Sequence, residues 1–281
     1  MFRPWSVRGA SLGTGSFPLL AGIVNVTPDS FFDGGRHATV EAAVAHGLRL
    51  WAEGAGQLDV GGESTRPGAA EVTLEEELSR TIPVIERLVR EGCRVAVDTR
   101  HPEVARAAFA AGAGAVNDIE GLRDPAMIEA CRTYSAGACA MHMQGTPGTM
   151  QGSPAYRDVV GDVGHFLSNS LERWLAAGLP EEALALDPGI GFGKAPEHNL
   201  ALLRATRSFR ERFPRCPWYL GLSRKSFIPR VPGVVPDSDR LAGSLGSALA
   251  VASQGCDILR VHDIAATREA ILLYLACKET P

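Results

Sequence analysis

The chain has 281 residues, 45% of them hydrophobic, enough for one domain with a full core. Its net charge of −4 is scattered, with no basic stripe or charged tail, which argues against a nucleic-acid partner. The first fifteen residues lack the apolar run of a signal peptide, and the apolar run 270–277 is too short to span a bilayer, so a soluble, cytoplasmic protein is expected with no membrane partner. The six cysteines form no CxxC pair and read as buried, reduced thiols.

Eight short apolar runs alternate with eight helical stretches. The first strand, 19–24, is continuously apolar, as suits a parallel strand covered on both faces, and ends at Asn25. A helix over 39–53 stops at Gly54. The second strand, 57–60, contains Asp59 and opens into a long loop, 61–72, holding GGESTRPG. Thr73 and Glu76 are spaced as a capping box for the next helix, in which Pro83 predicts a kink. The third strand, 94–97, ends at Asp98, and its helix starts at Pro102. A short fourth strand near 115–116 ends at Asn117, with a helix from about Pro125. The fifth strand, 137–141, ends at His142, followed by a second long loop, 143–154, and a helix over 157–177.

The sixth strand, 183–186, ends at Asp187 and is followed by a helix over 196–209. The seventh, 218–222, runs into Ser223-Arg224-Lys225-Ser226, then a proline-rich loop, 229–236, and a helix over 238–253. The eighth, 257–261, carries Arg260 and delivers His262, with a last helix after Asp263. No linker or repeat divides the chain. The prediction is an α/β protein: a single (β/α)8 TIM barrel over 1–281, with long loops after strands one, two and five. In this fold the active site sits at the C-terminal mouth of the strands, where all these polar residues fall. Loops of this length point to function.

One strand-end carboxylate is as readily a turn or cap residue as a functional one. Asp59, Asp98, Asp187 and Asn117 around one mouth are harder to explain that way. Carboxylates only accept hydrogen bonds, whereas an amide accepts and donates. The set matches a flat heterocycle with ring N–H groups, an exocyclic amine and a carbonyl, for which Lys225 supplies a donor. Asn25, Arg260 and His262 meet where the first and last strands close the barrel, and suit a phosphate or pyrophosphate. The bland alternative for Arg260 is an ion pair, with Asp263 the nearest candidate. DPGIGFGK, 187–194, is not a Walker motif, because Ala195 stands where Ser or Thr is needed; it reads as a tight glycine-rich turn carrying Phe192 outward. His142 reads as a buried histidine at the mouth rather than a metal ligand, and Trp51 and Trp174 as core.

Taken in order, NVTPDSFFDGG (25–35), DVGGESTRPG (59–68), VDTR (97–100), ND (117–118), MHMQGTP (141–147), DPGIGFGK (187–194), SRKSFI (223–228) and RVHD (260–263) name a family. The chain resembles the dihydropteroate synthases, the folate-pathway enzymes that sulfonamides inhibit. The resemblance covers almost the whole chain. It implies a transferase that condenses 6-hydroxymethyl-7,8-dihydropterin diphosphate with 4-aminobenzoate, releasing pyrophosphate and 7,8-dihydropteroate. It further implies Mg2+ as cofactor and a homodimer.

By motif, Asp98, Asn117, Asp187, Lys225 and Arg260 would hold the pterin. Asp98, Asp187, Lys225 and Arg260 would carry the catalysis. Asn25, Thr65, Arg260 and His262 would bind pyrophosphate, with Asn25 also reaching the metal. Thr65, Arg66, Pro67, Phe192 and Ser226 would line the aminobenzoate site. Phe32, Arg100 and Gly148 depart from the family's usual residues. The alternatives are a methyltetrahydrofolate-dependent corrinoid methyltransferase, which has no need of the GGESTRPG and SRKS loops, and a non-catalytic pterin-binding paralogue, which would be expected to have lost them.

Overall fold

The computed structural model describes residues 1–13, 15–26, 36–64, 72–235 and 239–278, without the side chains of 36–39. Ten strands are present among them: β1 (Trp5–Val7), β2 (Ala10–Leu12), β3 (Leu19–Asn25), β4 (Gln57–Gly61), β5 (Val95–Asp98), β6 (Ala115–Asp118), β7 (Gly137–Met141), β8 (Leu184–Asp187), β9 (Tyr219–Gly221) and β10 (Ile258–Val261). The α-helices among them are α1 (Arg36–Ala52), α2 (Leu74–Arg90), α3 (Pro102–Ala110), α4 (Pro125–Tyr134), α5 (Val159–Ala176), α6 (Pro196–Arg204), α7 (Thr206–Arg212), α8 (Leu241–Ala252) and α9 (Ile264–Lys278).

β3 to β10 form one parallel sheet in the order β8-β7-β6-β5-β4-β3-β10-β9. It curls until Leu186 of β8 bridges Trp218, just before β9, and the Leu186 N–H donates to the Pro217 carbonyl at 2.9 Å. The result is the expected (β/α)8 barrel. Its strands are short, and β4, β6, β7 and β8 are buried along their whole length, so apolar residues line both faces.

Register brings the polar strand ends to one rim. Asn25 lies opposite Gly61, Gly61 opposite Asp98, and Asp98 opposite Asn117. On the far side Met141 lies opposite Asp187, and Arg260 lies opposite Gly221. A barrel with this stagger turns sequence-distant residues into neighbours at its mouth.

The opposite end is closed by an element that periodicity did not predict. β1 and β2 pair antiparallel through a two-residue turn at Arg8 and Gly9, both at positive φ (49° and 73°), the geometry of a type I′ hairpin. The hairpin plugs the barrel floor. Trp5 is buried, donates its indole N–H to the Ala183 carbonyl at 3.0 Å, and packs edge-on to Tyr219 at 6.4 Å. A Cβ on Gly114 would lie 2.7 Å from Val7, so glycine there lets the hairpin seat.

Several local expectations change. The predicted sixth helix breaks at Ala205, whose ψ of 3° interrupts the repeat, into α6 and α7. The Thr73 hydroxyl caps Glu76 at 3.2 Å, but the Glu76 carboxylate pairs with Arg80, so only half of the capping box forms. α2 remains one helix through Pro83. Five cysteines are buried thiols as expected, whereas Cys277 is exposed, because it lies in the last helical turn of α9. Trp174 is fully buried and Trp51 packs against the core.

Candidate active site

Four strand ends supply the floor of the mouth. Asp59 (β4) accepts from Arg260 Nε and, through the same Oδ2, from Asn117 Nδ2 at 3.2 Å. Asp98 (β5) accepts from Arg260 Nη2 at 2.6 Å. Arg260, opposite Gly221 in β9, reaches from β10 to β4 and β5. The ion pair differs from the one the sequence suggested: Arg260 does not pair with Asp263. It is tied to two carboxylates, while Asp263 pairs with Arg224 at 2.6 Å. The reason is reach: a guanidinium spans the mouth, and the buried Asp59 carboxylate needs a cation close by.

Two acceptors on this floor remain unused. Asp59 Oδ1 and Asn117 Oδ1 are both buried with no hydrogen-bond partner among the described residues. Buried polar atoms normally find partners. Two uncommitted acceptors on neighbouring polar side chains at the mouth are partners for a ligand that brings donors.

The remaining groups are tuned by burial. Asp187 is 3% exposed, and its Oδ1 accepts from the Gly189 N–H at 2.6 Å. Burial pushes its carboxyl up to about 6, with Gly189 and Lys225 pulling back. Asp98 is raised to about 7 by burial, opposed by Arg260 and reinforced by Asp59. Burial lowers Lys225 to about 8, opposed by Asp187. Arg260 is disfavoured by burial, yet Asp59 and Asp98 hold it firmly protonated. Such displaced values in one cleft mark a functional centre.

The turn after β8 is glycine-rich, as predicted, with Gly189, Gly191 and Gly193 all at positive φ. Phe192 is not simply outward. Its half-buried ring packs on Ile119, Met141, Met143 and Met150, with Lys225 Nζ 4.1 Å from its centroid. Ser226 is exposed beside Lys225. His262 Nδ1 lies 3.1 Å from Ser223 Oγ, and Asn25 is half-buried at the end of β3. His142 is buried against Phe166, as expected, and among the described residues no cluster of three His, Cys, Asp or Glu could hold a metal.

Thr65, Arg66, Pro67 and Phe32 lie outside the described residues. Arg100 bridges Glu63 at 3.2 Å and Glu120 at 3.7 Å, and Gly148 faces open space. Sequence reasoning missed Lys194 as a functional candidate. It is a buried lysine at the end of a glycine-rich turn, and its position directly after that turn was the only available signal.

Similarity to known proteins identifies the family. The pterin binding enzyme family model matches residues 21–262. The dihydropteroate synthase of Escherichia coli K12 is 46% identical over 265 residues, 94% of this chain and 93% of that protein. The structure of Xanthomonas albilineans dihydropteroate synthase with 4-aminobenzoic acid superposes with a TM-score of 0.89, at 46% identity and full coverage of both chains. The same enzyme in complex with 7,8-dihydropteroate gives 0.87 at 44% identity, covering 99% of this chain and 100% of that one. With matches of this extent and identity, the chain belongs to the dihydropteroate synthase family of pterin-binding enzymes.

Proposed function

We propose that this chain joins 6-hydroxymethyl-7,8-dihydropterin diphosphate to 4-aminobenzoate, giving 7,8-dihydropteroate and pyrophosphate. The observation that carries the reading is the pair of orphan acceptors, Asp59 Oδ1 and Asn117 Oδ1, together with the partly buried Asp98 and buried Asp187 carboxylates. A dihydropterin presents an exocyclic amine and ring N–H groups, the complement of such a surface. Lys225 supplies a donor for its ring carbonyl.

The amine nitrogen of aminobenzoate forms a bond to the pterin methylene carbon as the C–O bond to pyrophosphate breaks, and the amine loses a proton. Positive charge spreads from the methylene into the ring. Asp98 and Asp187 stabilise that charge in a site with little water, where fixed charges act strongly. Arg260 spends two donors on Asp59 and Asp98, which leaves N–H groups that, with His262, Asn25 and by motif Thr65, would bind the departing pyrophosphate. Phe192 and Ser226 would form the aminobenzoate wall, and by motif Thr65, Arg66 and Pro67 belong to the same site.

Magnesium fits this donor set only as an ion carried by the diphosphate. Mg2+ favours oxygen ligands and usually keeps several waters beside substrate phosphates, and by motif the Asn25 amide oxygen, at the end of β3, would hold it. When bound, the ion would neutralise leaving-group charge.

Two further expectations belong with this reading. A homodimer is what membership of this family implies; the small residues of α8 do not decide it, since Gly246 and Ala250 line an outer groove while Gly243 packs against Ile228 of the same chain. Cytoplasmic residence suits a biosynthetic transferase, and no described helix is long and apolar enough to cross a membrane.

The test is calorimetry with 6-hydroxymethylpterin. Wild type should bind, and Asp187→Asn should lose roughly 2–4 kcal/mol, the penalty for placing a donor against ligand donors in a closed site. Equal affinities would remove Asp187 from the pterin site.

A further inference from the structure

Lys194 is 3% exposed, yet among the described residues its ammonium meets only uncharged acceptors. Nζ donates to the Phe192 carbonyl at 2.9 Å, to His142 Nδ1 at 2.9 Å and to the His142 carbonyl at 3.3 Å. The imidazole is neutral, its pKa pushed down to about 3 by burial and by Lys194 itself. A buried cation without a carboxylate partner is unfavourable in isolation. Burial accordingly lowers Lys194 to about 7, opposed by Asp187 and reinforced by Lys225.

The backbone around Lys194 accounts for its position. The turn 188–193 lies so close to the end of β7 that a Cβ on Gly189 would sit 1.9 Å from the His142 carbonyl oxygen, and one on Gly193 would sit 2.5 Å from that of Gln144. Within this close approach the His142 and Phe192 carbonyls both accept from Lys194. One ammonium has three N–H donors and three acceptors here. Neighbouring atoms of the turn have other anchors: Asn199 Oδ1 accepts from Gly191 N at 2.7 Å, Gln151 donates to the Gly191 carbonyl at 2.7 Å, and the Tyr156 hydroxyl donates to that of Gly193 at 2.8 Å. Lys194 anchors Phe192 itself, and the Phe192 ring in turn lies against Lys225.

We propose that Lys194 is a positioning residue for the second substrate: by clamping the Phe192 carbonyl to the end of β7, it sets the ring that forms the aminobenzoate wall, and it touches neither substrate. This rests on the assignment of Phe192 to the aminobenzoate site.

The experiment is a kinetic double-mutant cycle on the full-length enzyme with Lys194→Met, Phe192→Ala and the double variant. Lys194→Met should raise the aminobenzoate KM roughly tenfold, as for the loss of one charged hydrogen bond. Its kcat and its dissociation constant for 6-hydroxymethylpterin should stay within about threefold of wild type, because Lys194 donates to none of the side chains assigned to the pterin. In the Phe192→Ala background the same change should add little, since the ring it positions is gone. Lys194→Gln, which keeps two N–H donors, should show a smaller rise and serves if the Met variant does not fold.

A raised KM in Phe192→Ala with an unchanged KM in Lys194→Met would overturn the inference alone. So would an equal loss of pterin affinity, which would mean a general structural role. An unchanged KM in Phe192→Ala would instead remove the wall, and the inference with it.

Discussion

Asp187 shows how a single residue is set against the fold for the sake of its ligand. Its carboxyl is raised from 3.8 to about 6, so the folded state prefers it protonated. The stabilisation from that proton is complete below about pH 4 and is lost as pH rises to about 6. Asp187→Asn never loses it. The variant should therefore gain on wild type between pH 4 and pH 7 while binding pterin poorly. The gain should be about 3 kcal/mol, since each tenfold change in proton affinity is worth about 1.4 kcal/mol. Thermal melts across that range check the sign; a gap that shrinks with rising pH would contradict it.

Arg260 behaves oppositely. Arg260→Ala leaves Asp59 and Asp98 buried without a cation, which should cost on the order of 3–5 kcal/mol at pH 8. Removing Arg260 raises Asp98 further, so the loss should shrink as pH falls from 8 toward about 7, where Asp98 takes up a proton in wild type as well, and level off below that. Denaturant melts at pH 8 and pH 5.5 decide this, and an equal loss at both would remove Asp98 from the account. The residues of the site were legible because each stood at a strand end. Their pairing was not. Which carboxylate Arg260 reaches depends on barrel stagger and side-chain length, and neither shows in linear spacing.

At the scale of elements, the strands were readable to within a residue or two because buried parallel strands are continuously apolar runs between turn residues. The hairpin β1–β2 escaped because three-residue strands are too short for a period and Arg8-Gly9 is a weak turn signal. The break at Ala205 escaped because alanine favours helix, so a backbone angle set by packing overrode propensity.

The hairpin should be structural. Trp5→Ala should lose about 3–5 kcal/mol of stability, as for other large-to-small core changes, with KM for both substrates unchanged where the protein remains folded. Guanidinium melts beside steady-state kinetics test it. The turn after β8 should be the reverse, since Gly189→Ala drives a Cβ into the His142 carbonyl at a φ of 69°. Aminobenzoate affinity should collapse there, whereas Gly148→Ala, facing open space, should change little.

Across the whole molecule, the fold is a plugged barrel whose mouth concentrates buried charge. The free enzyme needs Asp98 and Asp187 ionised to accept from the pterin and Lys225 protonated to donate to it. Their values of about 7, 6 and 8 predict a bell-shaped kcat/KM for the pterin diphosphate, falling on the acid side near pH 6–7 and on the alkaline side near pH 8. Whole-chain motif order was the most legible feature of all, since eight motifs at eight strand ends leave little freedom in how the mouth is built.

The central claim is that this mouth holds a dihydropterin diphosphate and expels its pyrophosphate when an aryl amine attacks. The direct measurement is pyrophosphate release by the purified protein with Mg2+, supplied with both substrates or with either one omitted. Sustained release that requires both substrates, matches dihydropteroate formed mole for mole, and is lost in Asp187→Asn is the predicted result. Pterin binding without any pyrophosphate release would contradict the account and leave a protein that binds the pterin but does not transform it.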